Sequence, residues 1–429
     1  MKRLTLTIFG YCLVFKCHPL GRRFLFVCVG LLLLAATDAS GQTKRINENQ
    51  ISKENVLEDI DEYGRGINKN HVDPFTLIKK KDFFDEIENI KRSVVSCDAD
   101  ELVVKWLQLN AKIGDGHTVV QLQSKDFFPL AIYWYAEGLY VVATNDESRK
   151  CYHGRVVAVN GIPVDEVVRR ITTVIPDTTA SCVKQRLPGM IVDPVLLHGL
   201  HISSERSNVT YTLLTPGNDT IKVSPVAIDI RDRNQLTGLK SDKFLRSVIR
   251  GKYWFKYFDS LRTIYFNYSS CVDDGNFQHV ADELKKTIEQ KDPKKIVIDM
   301  RYNGGGNSAL LQPFIDYISR SQINRNGIVY VLVGRKTYSS AVINAAAFRR
   351  QTNAIFVGEE TGGTVAHFGE TKFFTLPATG VRVYYSTKYF DNYGVQKGPV
   401  IPDIRMSEKF AVYENNIDAV IDYAMAPVK

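Results

Sequence analysis

No two cysteines in this sequence stand two residues apart, and the four beyond residue 41 (Cys97, Cys151, Cys182, Cys271) are widely separated. That spacing signals neither a zinc site nor a redox dithiol. In an oxidising compartment these four could pair in three ways; isolated buried thiols are the alternative. No stripe of lysine and arginine interleaved with aromatics occurs, which argues against nucleic-acid binding. Long polar tracts are also missing. At 44% hydrophobic and 24% charged, the 429-residue chain has globular composition, enough for two or three domains with cores, and disorder is excluded.

The apolar run at residues 24–36 is short for a membrane span. It follows Arg22 and Arg23 and precedes Ala39, Ser40 and Gly41, the charged, apolar and small-residue order of a secretory signal. Cleavage near Gly41 is expected, hence an exported protein, periplasmic or extracellular. A second apolar run at residues 4–15 leaves open a retained anchor, which would hold the protein near a membrane, facing outward. Without residues 1–41 the chain keeps 50 basic and 46 acidic residues, a net charge of +4.

Four segments follow. Residues 1–41 are the signal or anchor. Residues 42–126 read as helical, with Val56, Ile60, Leu102, Trp106 and Leu109 at helical spacings, and end in the Gly114-Asp115-Gly116-His117-Thr118 loop before a β-branched run. Residues 127–228 form a small β-rich module of short strands. Within it Asn160-Gly161 predicts a tight turn, and a short helix is expected from Val164. From residue 229 to 429 strands and helices alternate, which predicts an α/β domain with a parallel-rich sheet whose strand ends face one crevice.

Two of those strand ends carry chemistry. One runs Ile296-Val297-Ile298-Asp299 into Gly304-Gly305-Gly306, bare backbone able to offer N–H groups. The other ends in Thr337-Tyr338-Ser339-Ser340 before a helix of small residues. A serine at such a turn is exposed in the positive field of a helix N-terminus, although a helix cap is the plainer reading of either hydroxyl. Serine needs a base to take its proton and fixed donors for the oxyanion it creates. The amides of Gly304, Gly305 and Ser340 are candidate donors. His117, with a near-neutral pKa expected, is the first candidate base; His367 is the second. Glu359 could orient a base. No metal or organic cofactor is called for.

Asp299-x-Arg301-x-Asn303-x-Gly305-Gly306, Thr337-x-Ser339-Ser340-Ala341, Gly358-Glu359-x-Thr361-x-Gly363, Leu376-Pro377-x-x-Gly380 and Pro402-Asp403 occur in that order. Together with the Gly-Asp-Gly-His-Thr segment they resemble the tail-specific (C-terminal processing) serine peptidase family. The resemblance implies a crotonase/ClpP-like α/β catalytic core, a PDZ-like module over residues 127–228, and a peptidase cleaving extended polypeptide. It also implies Ser339 as nucleophile, with the Ser340 amide in the oxyanion hole. Two positions depart from the family pattern. Thr364 stands where many members carry a lysine base. Gln396 stands where members that use histidine carry a supporting glutamate. These departures keep a second expectation open: a catalytically silent homologue that binds a peptide or an apolar ligand in the same cleft.

Overall fold

A computed structural model describes residues 52–121, 124–177, 179–238, 251–391 and 397–427. The expected signal or anchor lies outside them, as does Gln396. No helix among the described residues is long and apolar enough to cross a membrane.

Ser52 caps the first helix, Lys53–Asn70, by accepting from the Asn55 amide, and Asp98 caps the third, Ala99–Ala111. Between them lies Lys80–Ser93. The three bury Val56, Ile60, Tyr63, Ile87, Leu102 and Trp106 in one core, as their helical spacing predicts. Four residues from far along the chain join it: Leu376, Val381, Val383 and Tyr385. They belong to a long antiparallel hairpin, His367–Thr375 with Arg382–Phe390. Its second strand also pairs with Val119–Val120, directly after the Gly-Asp-Gly-His-Thr turn. The hairpin tip is fixed by the buried Asp59 carboxylate, which accepts from the Ala378 and Thr379 amides (2.8 and 2.9 Å) and the Thr379 hydroxyl (2.5 Å).

The middle module is an antiparallel sheet around Val141, Val156, Val159, Tyr211 and Leu213. Asn160 (φ 49°) and Gly161 (φ 77°) form the expected tight turn, and the helix Val164–Thr172 follows. Two further helices, Ala180–Met190 and Pro194–Gly199, depart from the β-rich expectation. The first carries Pro188 and Gly189, ordinarily breakers; it is capped by the Thr179 hydroxyl. The second opens on Pro194 behind the Asp193 cap.

Among the described residues, the C-terminal part of the chain builds a six-stranded sheet in the order Tyr253–Phe258, Thr263–Tyr268, Lys295–Asp299, Val329–Val333, Ile355–Gly358, Ile404–Arg405. The first pair is antiparallel and all others are parallel. Helices Phe277–Lys291, Gln312–Arg320 and Ser340–Gln351 connect them. Strand side chains are buried on both faces, Ile296 and Ile298 on one and Val297 with Leu332 and Val357 on the other, which is why these segments read as continuous apolar runs. The fold is therefore mixed α/β with a parallel-rich sheet. The four cysteines beyond residue 41 are free and buried.

Because Asp59 alone satisfies the hairpin tip from the helical side, Asp59→Ala should cost about 3 kcal/mol by leaving buried amides unpaired. Urea unfolding of the two proteins measures it, and a loss under about 0.5 kcal/mol would show that water takes over the tip.

Candidate active site

Strand Val329–Val333 ends in a turn stitched to its neighbour. Thr337 Oγ1 accepts from the Gly334 amide (3.1 Å) and donates to the Met300 carbonyl (2.9 Å). Ser339 then takes φ 53° and ψ −130°, backbone space that side-chain-bearing residues rarely occupy and that costs on the order of 1–3 kcal/mol. Its side chain caps nothing, so the helix-cap reading fails for Ser339. What holds the turn is close backbone approach. A Cβ on Gly305 would come within 2.8 Å of Ser339 Cβ, and one on Gly363 within 3.2 Å of the Ser339 amide.

Asn303 joins this turn to the glycine turn. Its Nδ2 donates to the Tyr268 carbonyl (3.0 Å), its Oδ1 accepts from the Gly305 amide (2.9 Å), and its carbonyl accepts from the Tyr338 amide (3.0 Å). Ser340 Oγ donates to the Gly306 carbonyl at 2.6 Å. The Gly305 amide, one of the three expected oxyanion donors, is thus engaged inside the turn. Those of Gly304 and Ser340 meet no acceptor among the described residues.

Across the cleft the Gly-Asp-Gly-His-Thr turn is built around Asp115. This buried carboxylate accepts from the His117 amide (2.9 Å), Thr118 Oγ1 (2.6 Å) and Ser386 Oγ (2.6 Å). His71 Nδ1 accepts from the Asp73 amide (3.0 Å), so its ring proton sits on Nε2 and is donated to Asp115 (3.1 Å). Burial would raise the Asp115 pKa, but the His71 N–H, the nearby His117 and the two hydroxyls hold the carboxyl well below the usual range. Asp115 is a residue the sequence reading quoted without giving it a role; nothing in the sequence marks His71.

The His117 ring is buried against His367, with centroids 5.4 Å apart and planes 17° from parallel, and lies 5.0 Å from the Tyr338 ring. Neither ring nitrogen has a hydrogen-bond partner among the described residues; Nδ1 is 3.8 Å from Asp115 Oδ1. Burial pushes the His117 pKa down to about 4 against the pull of Asp115, with His367 and Arg186 adding to the drop. The near-neutral value expected from sequence is corrected by this burial. His367 Nδ1 donates to the Thr364 carbonyl (2.8 Å), which leaves its Nε2 bare, and burial lowers its pKa as well.

Ser339, His117, His367 and Thr364 line one cleft of about 600 Å³. No hydrogen bond joins Ser339 to His117 in this conformation. Thr364 Oγ1 donates to the Ala366 carbonyl (2.7 Å). Glu359 is placed elsewhere: it forms a two-pronged pair with the buried Arg335 (2.7 Å at each nitrogen) and does not line the cleft. Arg186, from helix Ala180–Met190 of the middle module, donates to the Gly116 carbonyl (2.8 Å), and the Tyr338 hydroxyl donates to Asp177 (3.2 Å). Outside the cleft Asp98, Asp100 and His198 bring ligand-type atoms within 4.8 Å of one another, but Arg206 Nε already sits 2.6 Å from the Asp100 carboxylate.

A strained serine, free amides beside it and a neutral imidazole across one cleft are the parts of a serine hydrolase. Residues 315–406 match the sequence profile described as Peptidase family S41. The resemblance read from the motifs is thereby borne out over this segment, and the match supports a serine peptidase. Mature CPAF complexed with lactacystin is 12% identical, over 87% of this chain and 97% of that one, with TM-score 0.59. A second structure of mature CPAF is 11% identical, over 87% and 96%, with TM-score 0.57. The photosystem II D1 C-terminal processing protease is 15% identical, over 82% and 92%, with TM-score 0.36. At such identities the likeness to the two CPAF structures shows the fold alone, and the third carries no argument. No curated protein matches the chain.

His117 refuses in the fold a proton that the unfolded chain takes up, because its pKa falls from 6.5 to about 4. Stability from this group is full above about pH 6.5 and is lost as pH falls through 4. The urea midpoint of wild type should therefore drop over that window more steeply than that of His117→Gln. Parallel profiles would mean that the ring is solvated.

Proposed function

We propose that the chain is an exported serine-type endopeptidase acting on extended polypeptide, with Ser339 as nucleophile and His117 as base. The observation that carries this reading is Ser339 at φ 53°, held by Gly305 and Gly363 at the mouth of the cleft that His117 shares. Ser339 Oγ attacks the scissile carbonyl carbon while His117 takes its proton. The developing oxyanion accepts from the Ser340 and Gly304 amides. His117 then returns the proton to the leaving amine, and water, activated by the same imidazole, releases the acyl group from Ser339.

Closure of the Ser339–His117 contact on substrate binding is required, since catalytic hydrogen bonds commonly tighten only in the loaded site. Asp115 Oδ1, 3.8 Å from Nδ1, is placed to hold the ring as it moves. Export rests on the charged-apolar-small order of residues 22–41. The unbonded His117 ring favours a second reading, a silent homologue that binds peptide in this cleft.

A fluorophosphonate should phosphonylate Ser339, and Ser339→Ala should abolish labelling. Ser340→Ala keeps its amide and loses only the bond to Gly306, worth about 1 kcal/mol, so labelling should slow by no more than about tenfold. An adduct on Ser340 shifts the nucleophile by one residue. An unreactive wild type establishes the silent homologue.

The pH dependence of peptide cleavage tests the base. A neutral imidazole with a pKa near 4 gives an ascending limb of kcat/KM in that region and a plateau through neutrality. His117→Ala should lose about 10²–10⁴ in rate along with the limb. Collapse in His367→Ala instead, with His117→Ala fully active, would transfer the role.

A further inference from the structure

Large apolar side chains exposed to water are usually scattered singly. Around Ser339 they are gathered. Leu77 (72% exposed), Val72 (48%) and Tyr389 (47%) line its cleft together with Phe368. The loop at residues 72–77 is fixed at its start: the Val72 amide donates to the Ser386 carbonyl (3.0 Å), and His71 is bound to Asp115. Leu77 at its far end lies over Gly114, where φ is 74° and a Cβ would fall 2.1 Å from the leucine Cδ1. Glycine there leaves the leucine its seat. The apolar rim is thus built into the same turn that carries His117.

The charged side chains that line the cleft are acids. Asp73 and Asp177 line it, Asp115 is satisfied internally, and the nearest cation, Arg186, lies behind the lining with its guanidinium on the Gly116 carbonyl and over the Tyr338 ring. We infer that this rim is the subsite for a large apolar side chain flanking the scissile bond. Polypeptides with leucine-, phenylalanine- or tyrosine-type residues there are selected, and acidic ones rejected. The inference rests on the serine-peptidase reading and adds to it the substrate class. An apolar side chain laid on Leu77, Val72 and Tyr389 removes exposed surface on both partners, whereas a carboxylate would meet two of its own sign in a partly desolvated cleft.

The test uses the mature chain and quenched-fluorescent peptides identical except for leucine, phenylalanine, alanine or aspartate beside the cleaved bond. Labelling by diisopropyl fluorophosphate, too small to need the rim, is measured alongside. The wild type should be labelled on Ser339 and should favour leucine and phenylalanine over aspartate by about tenfold or more in kcat/KM, chiefly through KM. In Leu77→Ser, and separately in Val72→Ser, that ratio should shrink several-fold towards one. A labelled wild type that cleaves all four peptides alike, or prefers aspartate, overturns the subsite and leaves the peptidase standing. A wild type neither labelled nor active overturns both. A ratio unchanged in both folded variants places the selection elsewhere and overturns the rim.

Discussion

The Asp115 carboxylate is the point on which the site depends. It is buried, it carries its charge, and its donors come from three places far apart in the chain: the loop after the first helix, its own turn, and the second hairpin strand. An ionised carboxylate taken out of water without such donors would neutralise or force the fold open. Its requirement for all of them therefore sets the relative position of the helical segment, the hairpin and His117. The hairpin is also tied at its other end by Asp59, a second buried carboxylate serving the same two parts of the chain. One wall of the cleft is thus fixed by two acids that themselves need play no part in bond making.

The opposite wall is fixed by amides rather than charges. Asn303 uses its side-chain amide and its carbonyl to bind the glycine turn, the strand before it and the Tyr338 backbone, so two βα turns become one body. That rigidity is what can hold Ser339 in a conformation the isolated chain would leave. The ordered signature in the sequence is then intelligible residue by residue. Asp299 and Arg301 form a buried pair braced by Asp418, Thr337 stitches the strands, and Thr361 binds Val400. Few of these residues face the cleft; most of the signature is a scaffold for one strained serine.

This division explains what the sequence discloses. Strands buried on both faces leave continuous apolar runs, and the Asn160-Gly161 turn needs positive φ at two successive residues, so those elements were legible. That Ser339 and His117 meet at one cleft was legible because motifs in fixed order surround them. The packing of the long hairpin was not, since its residues alternate between a core supplied by helices some 300 residues earlier and open solvent, a pattern that makes sense only once the partner is known. His71 was invisible for the same reason: its one qualification is its distance from Asp115. Glu359 looked eligible beside the glycine turn, but a strand end presents successive side chains to opposite sides, and Glu359 faces Arg335.

Thr364 is bound into the wall of the cleft. Its carbonyl accepts from His367 Nδ1 and its hydroxyl is spent on Ala366, so the position orients an imidazole instead of supplying an amine. Two histidines stacked 5.4 Å apart in a water-poor cleft cannot both accept a proton cheaply, and burial depresses the pKa of each. Each ring therefore disfavours the charged form, and a charge on one disfavours it further on the other. An ammonium at residue 364 would add a third claimant to that field and push both imidazoles further from protonation. For the proposed histidine base, the stacked pair is the form consistent with the threonine present.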